Sequence, residues 1–291
     1  MIKNVLLIIA DDWSPLAGCY GTPALHTPHI DRLAARGTMF TRAFCTTPSC
    51  AASRANILTG LYSHQHHQYG HTHGCHNFRT RADARTLPSV LRASGISSGL
   101  VGKSHIAPRE TYPFDVWEEP NDIPFAKFSN QRLSSLTGDF LKSVEGKRFY
   151  LHAASSNPHR TGGDFRRPLH PEFEGKDRLY SPEEVTVPSW LPDTPETRQD
   201  LADYYTYISR FDDYVGAILN QLEKAGRTSD TMVLLLSDHG MPFPGAKASP
   251  FEAGHHCPLI IAHPDGTGAG QRCDALVNWN DILPTILDGM D

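Results

Sequence analysis

No two cysteines in this 291-residue chain are close enough in sequence to form a zinc knuckle or a dithiol motif. The six, Cys19, Cys45, Cys50, Cys75, Cys257 and Cys273, are scattered, which at this chain length excludes a disulfide scaffold and predicts mostly free thiols. Long hydrophobic runs are also missing. The most apolar stretch, Val5-Leu6-Leu7-Ile8-Ile9-Ala10, is far short of the roughly 20 residues a membrane span needs. It runs into Asp11-Asp12, where a signal peptide would carry small cleavage-site residues, so it reads as a first buried strand. The expected compartment is therefore cytoplasmic, or periplasmic or secreted if a leader has been removed. Charge of one sign is lacking as well. A net charge of −5 gives no general pull toward nucleic acid or anionic membrane, and neither is expected as a partner. An anionic substrate must be held by a local cluster. Internal repeats are absent. What remains is 39% hydrophobic and 20% charged residues, an ordinary globular composition with ample core, and a high count of 16 histidines.

Short apolar runs alternate with helical patterns, the mark of an α/β fold with a doubly wound, mostly parallel central sheet flanked by helices. After the strand at Val5–Ala10, Thr27 is placed to cap a helix with Pro28 at its first position, and Gly37 ends it. Strands are predicted at Met39–Phe44, Ser98–Val101, Phe149–Ala154, Thr231–Leu236 and Leu259–Ala262. A short helix is expected at Leu87–Ala93 and a terminal one at Asp281–Leu287. The longest helix opens at Thr194-Pro195-Glu196. It repeats Leu201, Tyr205, Ile208, Phe211, Val215, Ile218 and Leu222 every three or four residues and closes at Gly226. The proline-rich, charged region from Arg160 to Pro192 reads as a long surface loop.

Ligands of open α/β sheets bind beyond the carboxyl ends of the strands. Four strand ends here carry charged or imidazole groups: Asp11-Asp12, Lys103-Ser104-His105, Asn157-Pro158-His159-Arg160 and Asp238-His239. Taken singly, each acid could be a cap or a solvated loop residue and each base a surface charge. Taken together, Asp11, Asp12 and Asp238 would repel one another unless a cation sat among them, and three hard oxygen donors suit Ca²⁺ or Mg²⁺. His239 adds a softer imidazole donor.

The most informative run is Cys50-Ala51-Ala52-Ser53-Arg54, continuing to Leu58-Thr59-Gly60 and preceded by the turn-forming Thr46-Thr47-Pro48-Ser49. It resembles the signature of the sulfatase family, with alanine at position 52 where proline is usual. That resemblance implies an alkaline phosphatase-like sulfatase core and oxidation of Cys50 to formylglycine by a maturation enzyme. The aldehyde hydrate carries two hydroxyls on one carbon: one attacks sulfur, and the other re-forms the aldehyde and ejects sulfate. At a helix N-terminus this position also favours developing negative charge. The family pattern further implies a divalent cation, usually calcium, with magnesium or manganese as alternatives, held by Asp11, Asp12, Cys50, Asp238 and His239. It implies that Arg54 orients the hydrate, Lys103 bridges hydrate and sulfate, His105 accepts a proton, His159 contacts sulfate or protonates the leaving group, and Lys247 grips sulfate.

The resemblance runs from residue 3 to about residue 288. Val101–His105 leading to Tyr112–Asp115, Asn157–Arg160, Pro192–Pro195 and Ser237–Pro244 look like the sulfamidase branch, which cleaves the N–S bond of N-sulfated glucosamine in heparan-type saccharides. On this reading residues 1–291 are an N-terminal catalytic domain that stops before the family's usual smaller C-terminal subdomain. Two rivals stand beside it: a phosphonate monoester or phosphodiester hydrolase of the same superfamily, and an inactive domain that only binds sulfated glycans. The dense cluster His64, His66, His67, His71, His73, Cys75 and His76 contains donors for a zinc site. Their irregular spacing favours a substrate-facing loop with one or two histidines near the sugar.

Overall fold

The computed structural model describes residues 2–75, 77–119, 129–160, 165 and 177–291. Among these residues, nine strands form one sheet in the order β4-β3-β5-β1-β6-β7-β2-β8, with β9 paired to β2. They are β1 (Asn4–Ala10), β2 (Thr38–Phe44), β3 (Ser97–Gly102), β4 (Val116–Glu118), β5 (Phe149–Ala154), β6 (Thr231–Ser237), β7 (His256–Ala262), β8 (Gln271–Cys273) and β9 (Val277–Asn278). The helices are α1 (Pro28–Arg36), α2 (Cys50–Thr59), α3 (Ser63–His66), α4 (Leu87–Ala93), α5 (Asn130–Ser143), α6 (Pro195–Lys224), α7 (Glu252–His255) and α8 (Ile282–Met290). Among the described residues no helix is long and apolar enough to cross a membrane.

Strand β1 shows why its sequence is apolar without alternation. Leu6, Ile8 and Ala10 enter a core shared with α1, α5 and α6, while Val5, Leu7 and Ile9 enter a second core with α2, α4 and α8. Both faces are covered, so both parities must be apolar. The sheet is mostly parallel, as expected, but β7 pairs antiparallel with both β6 and β2 and runs against the rest. Its apolar run could not reveal direction, because parallel and antiparallel central strands bury the same residue types. Helix α5 and the short strands β4, β8 and β9 lie outside the sequence expectations; the strands are two or three residues long, below the reach of periodicity. Of the expected loop from Arg160 to Pro192, positions 161–164 and 166–176 lie outside the described residues, and 177–192 carries no helix or strand.

The register explains how distant segments meet. Gly102 pairs with Ala154, Ala154 with Ile9, and Ala10 with Ser237. Four parallel strands therefore stop at one level, and Lys103, Ser155, Asp11 and Asp238 leave the sheet side by side. Gly102 is required there: its φ is +99°, and a Cβ would run into the carbonyl oxygen of Ala154. Gly102→Ala should cost about 3 kcal/mol or more, read as a lowered urea midpoint at unchanged m-value.

Thr27 does not cap α1 as expected. Its hydroxyl accepts from the Gly18 amide, and the amides of His29 and Ile30 donate instead to Asp212 of α6. Burial outweighs these two donors and raises the Asp212 carboxyl to about 7 from 3.8. Folded Asp212 thus keeps a proton that the unfolded chain loses, so this stabilisation is complete below pH 3.8 and is lost as pH rises to about 7. Asp212→Asn should flatten the pH dependence of stability across that window by roughly 3 kcal/mol, measured by urea unfolding at several pH values.

Candidate active site

Helix α2 begins at Cys50 after Ser49 in an extended conformation and ends at Gly60, whose φ is 65° and whose amide returns to the Asn56 carbonyl. Small residues at 51, 52, 53 and 55 let the helix lie close against the sheet, and all ten of its residues are buried. Ala52 at the departure from the usual signature is among them. Because β2 runs parallel to β1, the chain leaving Phe44 delivers Cys50 to the same edge as the other strand ends.

There the Cys50 sulfur lies 3.2 Å from His239 Nε2 and 3.9 Å from Asp12 Oδ1. His239 Nε2 is 3.1 Å from Asp12 Oδ1. The other ring nitrogen of His239 is 3.0 Å from the Gly240 carbonyl; donating its proton there turns Nε2 toward Asp12 and Cys50. Lys247 Nζ donates to both Asp12 oxygens at 2.8 Å, and Lys103 Nζ donates to Asp11 Oδ2. His159 Nε2 lies 3.9 Å from Asp12 with its side chain 35% exposed, which places it at the open side of the cluster. Asp12 and Ala248, next to Lys247, hold positive φ of 68° and 59°, a backbone conformation non-glycine residues adopt at a cost of about 1–3 kcal/mol.

Arg54 ties the edge together. It is wholly buried, donates from Nε to Asp238 Oδ2 and from Nη1 to the Lys103 carbonyl, both at 3.0 Å, and reaches Asp11 Oδ1 at 3.4 Å. Asp238 is further committed: its Oδ1 accepts from the amides of Asp12 and His239 at 3.0 and 2.9 Å.

The electrostatics follow from burial opposed by paired charge. Burial alone would raise Asp11 and Asp12, but Lys103, His159 and Arg54 hold Asp11 well below the usual carboxylate range, and Lys247, His159 and His239 hold Asp12 below it. Asp238 moves the other way, raised by burial and by its neighbour Asp11. His239 would be lowered by burial, yet Asp238, Cys50 and Asp12 raise it to about 10. Burial, aided by Lys103 and Lys247, lowers His159 to about 4 and so keeps it neutral near pH 7.

Asp11, Asp12, Cys50 and His239 each offer one ligand atom within 4.8 Å of the others. Two hard carboxylates, an imidazole and the Cys50 position fit a divalent cation. Asp238 stands behind this group, its oxygens engaged by amides and Arg54. The structure thus brings together nine of the ten residues singled out from sequence. The tenth, His105, leaves the same strand end but packs its ring against His71 and His73.

Several supporting residues carry no sequence signal. Tyr204 of α6 donates to the Asp12 carbonyl at 2.8 Å, Trp279 Nε1 to the Asp238 carbonyl at 3.0 Å, and Ser237 to the His239 carbonyl at 2.7 Å. Glu119 accepts from the Ser104 amide at 2.9 Å and so fixes the loop after Lys103. The Tyr204 and Trp279 contacts span 192 and 41 positions of chain, and each residue type is common at such positions for packing alone.

Comparison with known proteins identifies relatives of this chain. The family model described as Sulfatase matches residues 3–291. N-sulphoglucosamine sulphohydrolase of Homo sapiens is 36% identical over 98% of this chain and 60% of its own length. The chain spans 51% of an ulvan-active sulfatase of Formosa agariphila and 67% of an N-acetylglucosamine-6-O-sulfatase of Bacteroides thetaiotaomicron, so it covers only part of these relatives' length. Two solved structures are similar in fold. The phosphonate monoester hydrolase of Agrobacterium radiobacter superposes with a TM-score of 0.80 at 20% identity, over 99% of this chain and 73% of that one. A structure in complex with its substrate D-glucosamine-2-N,6-O-disulfate gives 0.74 at 20% identity, over all of this chain and 77% of that one.

Proposed function

This chain belongs to the sulfatase family, and from that premise we propose that it is the catalytic core of a hydrolase that removes sulfate from sulfated sugars, with the N-sulfate of glucosamine as its preferred target. One observation carries the reading: Cys50, at the N-terminus of a buried helix, lies beside Asp12 and His239 in a cluster flanked by Lys103, Lys247 and His159. Oxidised to formylglycine by a maturation enzyme, position 50 would supply a hydrate: one hydroxyl would displace the amine from sulfur, breaking the S–N bond, and deprotonation of the other would break the Cβ–O bond, releasing sulfate and restoring the aldehyde. Asp11, Asp12, His239 and residue 50, with Asp238 behind them, would hold a divalent cation, calcium by family habit, and such an ion would supply Lewis-acid charge.

The remaining work falls to the chain's own side chains. Lys103 and Lys247 are ion-paired to Asp11 and Asp12 while still partly open, at 16% and 23% side-chain exposure, so each can share its ammonium with a sulfate oxygen. Arg54 is buried too deeply to meet sugar; it aligns Asp11 and Asp238. His159, neutral and at the open side, is placed to hydrogen-bond the sulfate or leaving group, and a nearby anion would raise its affinity for the proton the leaving amine needs. His105 is a candidate proton acceptor: burial and Lys103 keep it neutral. Preference for an N-sulfated sugar is supported by the relative at 36% identity and by the matching segments from Val101 to Pro244.

Co-expression with a formylglycine-generating enzyme, mass analysis of the Cys50 peptide, and comparison of N-sulfoglucosamine, an aryl sulfate and a phosphonate monoester as substrates test the proposal. The expected result is loss of sulfur at Cys50 and highest kcat/KM on N-sulfoglucosamine. Dominant phosphonate turnover would replace the sulfatase reading with a phosphonate hydrolase. A matured chain that turns over nothing would indicate a glycan-binding domain.

A further inference from the structure

Strand β1 ends at Ala10, and the backbone from Asp12 to Ser14 is held by side chains instead of a neighbouring strand. The Asp12 amide donates to Asp238 Oδ1 at 3.0 Å, the Trp13 amide to Ser237 Oγ at 2.8 Å and the Ser14 amide to the Tyr204 hydroxyl at 3.2 Å. Tyr204 then donates its own proton to the Asp12 carbonyl at 2.8 Å. One phenolic oxygen of α6 thus bridges the backbone on both sides of Trp13. Among the described residues no backbone amide donates to the Asp12 carbonyl, so this hydroxyl is its partner. We propose that Tyr204 is a positioning residue that holds Asp12 in the backbone conformation aiming its carboxylate into the catalytic cluster, a role that rests on reading the cluster as a divalent-cation site.

That conformation has to be imposed. Asp12 sits at φ 68°, in the left-handed region that a residue with a Cβ adopts only when its surroundings demand it. The aim it confers is specific. Both Asp12 oxygens accept from Lys247 at 2.8 Å, Oδ1 lies 3.1 Å from His239 and 3.9 Å from the Cys50 sulfur, and Oδ2 lies 3.9 Å from His159. A return to negative φ would swing Cβ and the carboxylate away from all of these groups together. The chain on the far side cannot take up the change, because Trp13 is wholly buried and packs on Phe211 at 5.3 Å.

Tyr204 is itself fixed. It is wholly buried, and its ring meets Phe243 edge-on at 5.5 Å and Phe165 at 5.6 Å, which leaves the hydroxyl one direction to point. Asp200, one turn earlier on the same face of α6, accepts two hydrogen bonds from Arg160, the residue after His159. The helix is therefore tied to the catalytic edge at a second point, and loss of the Tyr204 hydroxyl alone would not let it move away.

The influence of the bridge extends past Asp12. Ser14, held through its amide by Tyr204, accepts at Oγ from the Met241 amide at 2.9 Å, and the Met241 carbonyl accepts from the Lys247 amide at 3.1 Å. The carboxylate and the ammonium that faces it are thus set from one anchor. Tyr204 takes no part in the chemistry directly: it faces the carbonyl of Asp12 and not its carboxylate, and it has no exposed surface to offer a sugar. Its effect passes through the orientation of a ligating group, and losing a hydrogen-bonding partner of that kind typically weakens metal binding by about 10–100-fold.

Calorimetric titration of the chelator-treated full chain with Ca²⁺ tests this independently of turnover. Tyr204→Phe keeps the ring and removes only the hydroxyl, and should weaken Ca²⁺ binding by about 10–100-fold. Tyr207→Phe is the control. Tyr207 lies on the same helix, is buried, and donates to the Phe165 carbonyl at 2.7 Å, so its loss should lower the urea midpoint in chelator and leave Ca²⁺ affinity unchanged. A crystal structure of Tyr204→Phe should show the Asp12 carboxylate turned from Lys247. Affinity of Tyr204→Phe within about threefold of the parent, below the range expected for a lost orienting partner, overturns the positioning role. An equal loss of affinity in Tyr207→Phe overturns it too, since any loosening of α6 would then suffice. A parent chain that binds no Ca²⁺ overturns the cation reading of the cluster and this role with it.

Discussion

Cys50→Ala, prepared alongside matured wild type, is expected to lower kcat by about 10⁴-fold while substrate affinity changes only a few-fold. The cysteine side chain is buried, lies beside Asp12 and His239, and is small, so alanine leaves no thiol to be matured and causes little repacking. Lys103 and Lys247, the proposed sulfate contacts, are unaltered, which is why binding should persist. Cys50→Ser separates attack from release. A serine hydroxyl can attack sulfur but has no second hydroxyl on the same carbon to eject sulfate, so the variant should trap one equivalent of sulfate as an ester on residue 50. Initial rates, calorimetry with substrate and intact mass after incubation read the three quantities. Turnover by Cys50→Ala within tenfold of wild type would remove Cys50 from the reaction.

Arg54→Ala should produce the largest loss of stability, about 3–5 kcal/mol, or roughly 10 °C in the thermal midpoint. Arg54 has no exposed side-chain area, and its guanidinium joins Asp238, Asp11 and the Lys103 carbonyl. Removing it leaves two buried carboxylates short of a partner, one of them already raised by burial. Arg54→Lys retains the charge but cannot place three donors in a planar fork, so it should recover only part of the loss. Measuring both in the Cys50→Ala background, by urea unfolding in calcium and in chelator, separates architecture from catalysis. A midpoint equal to that of the parent would refute the organising role. Chelation should destabilise the parent, because a cation bound only by the folded state adds stability by mass action.

The elements legible in advance were those with a local cause. Helix α6 was readable from its apolar stripe, its Thr194-Pro195 start and Gly226; β1, β3, β5 and β6 from short apolar runs; and α2 from its cysteine motif and Gly60. The elements that escaped had causes elsewhere. Asp212, not the adjacent Thr27, serves the amides at the start of α1, because α6 packs across that end. The direction of β7 depends on its neighbours, since a strand buried on both faces carries no vector in its composition.

The candidate site divides in the same way. Nine of its residues stood out because acids, bases and a signature cysteine punctuate strand ends, and strand ends in an α/β sheet face a shared cleft. His105 stood out by the same rule, yet its ring turned to His71 and His73, a meeting decided by how the loop closed by Gln68 folds back onto the end of β3. By itself, then, the sequence determined the class of fold and the family and singled out the proposed reacting position, because periodicity, caps and motifs act over a few residues. Only the tertiary structure decided which carboxylate faces which cation, that Arg54 is an internal brace, and that the rings of His71, His73 and His105 meet. Those are distances between segments up to some 230 positions apart, set by strand register and packing rather than by any local pattern.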